Sequence, residues 1–110
     1  MIEWSRVREL RDEVGEEDFS DVVELFLEEV EEVIDRLDRQ PEQDRLEHDL
    51  HFLKGSALCL GFRDFSQLCQ NGEKKSAQGY GESVDLGEII GGYRTSKSLF
   101  LEGVQAECLS

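Results

Sequence analysis

Proline is nearly missing from this chain: Pro41 is the single example in 110 residues. A sequence this poor in helix breakers, and rich in Glu, Leu, Arg and Asp, points to an all-α protein. Basic residues are the second scarcity. Twelve Lys and Arg stand against 26 Asp and Glu, a net charge of −14. Nucleic acids and anionic membrane surfaces are polyanions, so neither is an expected partner. A partner with a basic docking rim stays open. Long apolar runs are missing too. No stretch approaches the ~20 apolar residues of a membrane span, and the amino terminus carries no signal-peptide pattern. Cytoplasm is therefore the expected location.

Cysteine is sparse: Cys59, Cys69 and Cys108, widely spaced and without a C-x-x-C pair. An odd, scattered set reads as reduced, partly buried thiols, in keeping with a cytosolic protein. A zinc site drawn from His48, His51 and two cysteines lacks any ligand spacing, so no metal is expected. The length fits one domain over 1–110, large enough for a core without metal or disulfide staples.

What is present is helical periodicity. Trp4, Val7, Leu10 and Val14 recur at helical spacing, which predicts a short first helix from Met1 to Val14, capped near Ser5 and stopped at Gly15. From Glu16 to Arg39, Phe19, Val22, Val23, Phe26, Val30, Val33, Ile34 and Leu37 form one apolar face. Glu24, Glu28, Glu29, Glu31, Glu32 and Asp35 cover the other side as a solvated face, with Asp18 as the expected N-cap. A connection holding Pro41 leads to a third helix, Asp44 to Leu60, ended by Gly61. A fourth runs from Phe62 to about Gln78, with Phe65, Leu68 and Cys69 inward. A loop with Gly79 and Gly81 precedes a last helix over roughly Val84 to Cys108. Gly87, Gly91, Gly92 and Gly103 predict that this last helix is kinked or frayed.

The third helix has two faces. Leu46, Leu50, Leu53, Ala57 and Leu60 make a packed seam, while His51, Lys54 and Gly55 sit at i, i+3 and i+4 on another face. Glycine inside a helix costs roughly 1 kcal/mol relative to alanine, so Gly55 asks for a reason. A bare position one turn after His51 leaves the imidazole uncovered, and Lys54 sets a positive charge beside it. An accessible nucleophilic nitrogen, a cation and a cleared approach suit a transferable phosphoryl group. A surface histidine with a solvated lysine and an incidental glycine is the plainer alternative at this stage.

The segment His51-x-x-Lys54-Gly55-Ser56-x-x-x-x-Gly61 resembles the signature of histidine phosphotransfer (HPt) domains, relay modules of multistep two-component signalling. The similarity extends to Asp18-Phe19-Ser20 with Val22, Val23 and Phe26, and to Phe65, Leu68 and Cys69, covering about residues 4–76. The resemblance implies an up-down antiparallel four-helix bundle with a short extra N-terminal helix. It implies that His51, the one histidine with Lys and Gly at +3 and +4, is the phosphoryl acceptor. His48 is then an ordinary exposed histidine or a second acid–base group. Lys54 would stabilise the phosphoryl charge and Gly55 would give clearance, while Ser56 would cap or support the local helix, with direct phosphate contact as its other binding role. Glu73 falls where many family members carry Gln or Glu beside the active histidine. A hydrogen bond from it would orient the ring; a simple contact with lysine or water is the alternative. Gly72 stands where the family usually has a large apolar residue, so poor packing is expected in the middle of that helix.

The resemblance further implies a phosphoryl carrier and not an autonomous kinase. It would exchange with response-regulator receiver domains or a hybrid histidine kinase, hold no cofactor of its own, and rely on Mg²⁺ bound by the receiver. A monomer is expected. The first helix lies near the histidine in this family, so Val7, Leu10, Phe19 and Val23 are expected to line the docking surface, with core packing as the other reading for Val7 and Leu10. Two other functions compete. One is a phosphoacceptor for a chemotaxis-type kinase, which would act in trans since no kinase domain follows Ser110. The other is a helical adaptor that carries no phosphate, to which the trio His51, Lys54 and Gly55 would be of no use.

Overall fold

A computed structural model of the chain describes residues 2–106. Among these residues five α-helices follow one another: α1 (Trp4–Val14), α2 (Glu16–Arg39), α3 (Gln43–Leu60), α4 (Arg63–Ala77) and α5 (Leu86–Ala106). One turn of 3₁₀ helix, Gly81–Ser83, joins α4 to α5. Helices α2 to α5 form a closed ring in which each touches the next and α5 returns to α2, while α1 lies across α2 and α3. The outcome is the all-α four-helix bundle with an additional N-terminal helix, 43 × 21 × 21 Å in extent. The long dimension follows from α2, whose 24 residues span about 36 Å at 1.5 Å per residue.

Helix α2 buries Phe19, Val23, Leu27, Val30, Ile34 and Leu37, steps of three and four that keep one stripe on the core. Val22, Phe26 and Val33 flank that stripe half-buried. The acids Glu24, Glu28, Glu29, Glu32 and Asp35 face water, as the alternation requires. Asp18 is not the cap of this helix. Gly15 holds that position at φ 87°, and Asp18 lies in the first turn with Glu16 and Glu17, beside the positive end of the helix dipole. Ser5 likewise sits inside α1, whose cap residue is Glu3.

The predicted seam of α3 is buried throughout: Leu46, Leu50, Leu53, Ala57 and Leu60. Gly61 ends the helix in the left-handed conformation, φ 76° and ψ 20°. The Phe62 amide donates to the Ala57 carbonyl at 2.8 Å, and the Glu3 amide donates to the Gly61 carbonyl at 2.7 Å. A β-carbon at Gly61 would lie 2.7 Å from the Glu3 carbonyl oxygen, so only glycine lets the start of α1 close on this turn. Phe62, fully buried, packs edge-on to Phe100 at 5.4 Å between ring centres, and Phe65 lies 5.4 Å from Tyr93.

Two expectations about glycine are corrected. Helix α5 runs unbroken from Leu86 to Ala106, and two of its glycines, Gly92 and Gly103, are points of close approach, whereas a β-carbon at Gly91 would meet nothing within 4 Å. Trp4 stacks on Phe100 and lies over Gly103, where a β-carbon would stand 2.1 Å from Trp4 Cζ2; at Gly92 it would stand 2.5 Å from Leu68 Cδ1. Cys108 lies outside the described residues. Gly72 does not leave α4 loosely packed: its position is buried, and a β-carbon there would meet Leu50, Ile89 and Val84 at 3.0–3.3 Å. The neighbouring helices have moved in over the missing side chain.

Candidate functional site

The site is built from the exposed side of α3 and one residue of α4. The buried seam fixes the rotation of α3, which turns His51 outward: its side chain is 67% exposed. A half-buried ion pair helps hold that rotation. Asp49, with its side chain 3% exposed, accepts from Arg36 of α2 at 2.5 Å. Helix α4 returns antiparallel from the Gly61 turn and brings Glu73 level with His51 and Lys54.

The two oxygens of the Glu73 carboxylate are both engaged. Oε2 lies 2.6 Å from His51 Nδ1, and Oε1 lies 2.8 Å from Lys54 Nζ. Burial pushes the Glu73 carboxyl up, but the hydrogen bonds from Lys54 and His51 prevail and hold it below the usual carboxylate range. Glu73 is therefore an anion at neutral pH and can only accept. Nδ1 must be the donor, which leaves the lone pair of a neutral ring on Nε2. The sequence offered a Glu73–imidazole bond and a Glu73–lysine contact as alternatives; the structure makes both at once.

Gly55 is exposed, and a β-carbon placed there would meet no atom within 4 Å. The approach over this turn is open. Ser56 is buried, 7% exposed, and faces away from the imidazole side of the helix. His48 is exposed one turn before His51. Cys59 is half-buried and Cys69 buried; both are free thiols. Burial, and next the charge of Glu73, push the Cys69 thiol up to about 12, so it is inert at neutral pH. No group of three or more metal-ligating side chains occurs among the described residues.

The docking assignment for Val7, Leu10, Phe19 and Val23 is overturned. All four belong to the core, with exposures of 0%, 4%, 2% and 7%. Side chains with so little surface have nothing to offer a partner. Val7 and Leu10 are apolar because α1 packs on α2 and α3, and Phe19 and Val23 because they lie on the core stripe of α2. The large exposed apolar residue of α3 is instead Leu58, 56% exposed, which the sequence reading passed over. Its signal was legible: Leu58 follows His51 by seven residues, two turns along the same face. No helix among the described residues is long and apolar enough to cross a membrane.

Comparison with known proteins agrees with the geometry. The Hpt domain family matches residues 21–105. The phosphorelay intermediate protein YPD1 of Candida albicans is 34% identical over 92 residues, an alignment that covers 78% of this chain and 47% of YPD1. The chain thus spans about half the length of that curated relative. No solved structure matches it. A family match that takes in α3 with His51, Lys54 and Gly55 and α4 with Glu73, on a helical bundle of the expected order, has one reading: the chain belongs to the Hpt domain family.

Proposed function

We propose that the chain is a phosphorelay carrier in which His51 Nε2 takes a phosphoryl group from the aspartate of one receiver domain and gives it to another. The observation that carries this reading is the state of the imidazole. Nδ1 is tied to the Glu73 carboxylate at 2.6 Å, the ring is 67% exposed, and the adjoining turn is bare at Gly55. The Nε2 lone pair attacks phosphorus, the P–O bond to the receiver breaks, and its electron pair leaves on the receiver's carboxylate. Nδ1 keeps its proton, donated to the Glu73 carboxylate, throughout. Onward transfer is the reverse, with a second carboxylate attacking phosphorus and the pair returning to Nε2.

Lys54 supplies a cation one turn along the same face. Its ammonium has three hydrogens, and Glu73 takes one, which leaves two for phosphoryl oxygens. The residues on this face bind and orient; nothing in the reading asks the chain to activate ATP. The receiver brings the Mg²⁺ and the acidic pocket. Residues 1–110 act as one unit, as a monomer in the cytoplasm, with response-regulator receivers or a hybrid histidine kinase as partners. The name of the YPD1 relative, a phosphorelay intermediate, supports the same reading. The test is transfer from a receiver domain carrying labelled phosphoaspartate: wild type and His48→Gln acquire acid-labile label, and His51→Gln acquires none. Label retained by His51→Gln would refute the assignment.

A further inference from the structure

Resting on the phosphoryl-transfer reading of His51, we infer that Leu58 and the depression beside it are a docking anchor for the receiver, taking an apolar side chain from the partner's docking face. Leu58 lies seven residues beyond His51, about 10.5 Å along the helix axis at 1.5 Å per residue. A receiver aspartate cannot reach Nε2 without pressing a folded domain against this side of the bundle. A specific interface buries ~800 Å² on each partner, a patch of about 16 Å radius if round. Leu58 falls inside that radius, so the same domain that reaches His51 covers it. Between the two residues the helix shows only Lys54 and the bare turn at Gly55, and nothing there stands in the way.

The local chemistry specifies what the partner inserts. A depression of about 240 Å³ opens beside Leu58, lined by Glu3, Arg6, Ala57, Leu58, Gly61 and Arg63. Its floor is apolar and its rim is charged, but that charge is already balanced within the chain. Arg6 donates to Glu9 at 3.0 Å and to Glu13 at 3.2 Å. Arg63 lies 3.6 Å from Glu3 and 3.9 Å from Asp64. A charged partner group would have to break or share these pairs and would lose its own water, so it gains little. A Leu, Ile or Met side chain gains the burial of a leucine that is 56% exposed in the free chain. Exposure by itself does not single Leu58 out, since Leu25 of α2 is 57% exposed; what does is the apolar-floored depression beside it, on the face that carries His51.

The test separates docking from chemistry. Phosphoramidate, too small to dock, loads His51 directly, whereas a receiver domain needs the face. Wild type, Leu58→Ala and Leu58→Asp are loaded with phosphoramidate, then mixed at sub-saturating concentration with the receiver, from a panel, that accepts fastest from wild type. Loading is expected to agree within about twofold across the three, and transfer to fall about fivefold for Leu58→Ala and more than tenfold for Leu58→Asp, the loss typical of an interface anchor. Transfer from Leu58→Asp at the wild-type rate would overturn the anchor. A wild-type chain that loads from neither phosphoramidate nor any receiver would overturn the phosphorelay reading itself. The residue is exposed on a helix whose seam it does not enter, so both variants fold; coincident thermal melts check that.

Discussion

Gly55 gives stability and function opposite signs, which makes it a demanding place to test the account. The residue sits in the interior of α3, and a β-carbon there would meet nothing within 4 Å. Its backbone is not among the positive-φ glycines. Alanine at such a site restrains the unfolded chain and clashes with nothing, so Gly55→Ala should stabilise the protein by up to ~1 kcal/mol. For a domain of this size that corresponds to a rise in Tm of about 4–8 °C. The methyl group is small enough for transfer to continue. Gly55→Gln adds a flexible side chain about 5 Å long, one turn from the imidazole on the same face. It should keep most of the helix-propensity gain and slow transfer from a receiver by more than tenfold. Thermal melts by circular dichroism and the rate of phosphoryl transfer read the two effects separately. A destabilised Gly55→Ala would show that the space over this turn is filled after all. Normal transfer by Gly55→Gln would show that the clearance has no function.

Three further outcomes follow from the packing and the charges. Leu10→Ala, at a position 4% exposed, should cost about 2–5 kcal/mol in urea unfolding and leave receiver affinity of the folded molecules unchanged; weakened affinity at full folding would restore Leu10 to the docking face. Gly103→Ala drives a methyl group to within 2.1 Å of Trp4 and should cost about 1–3 kcal/mol, whereas in a Trp4→Ala background the same change should be neutral or mildly stabilising. Glu31 accepts from Tyr93 at 2.6 Å and from Lys97 at 2.5 Å; burial raises its carboxyl, but these bonds leave it lowered. A lowered carboxyl stabilises the fold above its ordinary titration range and loses that contribution as pH falls through the lowered value. Glu31 is 40% exposed and screened, so the stability gap between wild type and Glu31→Gln should be about 0.5–1 kcal/mol at pH 7 and should close below about pH 4. A gap that widened on acidification would contradict the pairing.

Much of the bundle was legible because helical periodicity reports burial directly. The seam of α3 could be read residue by residue, the stripe of α2 all but Leu27, which is buried and was not in the expected face, and Gly61 announced its own left-handed turn. The misreadings share one cause: an apolar or glycine residue looks the same in sequence whether it faces water, a partner or another helix. For Val7 and Leu10 the sequence leaves docking and core packing open, and for Phe19 and Val23 an apolar helix face serves either use; the structure places all four in the core. Gly92 and Gly103 looked like helix breakers until Leu68 and Trp4 were seen over them. Gly72 looked like a gap until Leu50, Val84 and Ile89 were seen to close it. At the site, spacing grouped His51, Lys54 and Gly55 because they share one helix. Glu73 is 22 residues away from His51 and could be reached only through the family resemblance, since no local period links α4 to α3.

The central claim is that phosphoryl resides on His51 Nε2 while Nδ1 stays bonded to Glu73. Loading the ¹⁵N-labelled chain with phosphoramidate and recording two-dimensional ¹H–¹⁵N and ³¹P spectra tests it directly. The account predicts a single phosphohistidine whose phosphorus couples to Nε2 of His51, with the Nδ1 proton still visible and lost in Glu73→Ala. Phosphorus on Nδ1 of His51, or on His48, would contradict it.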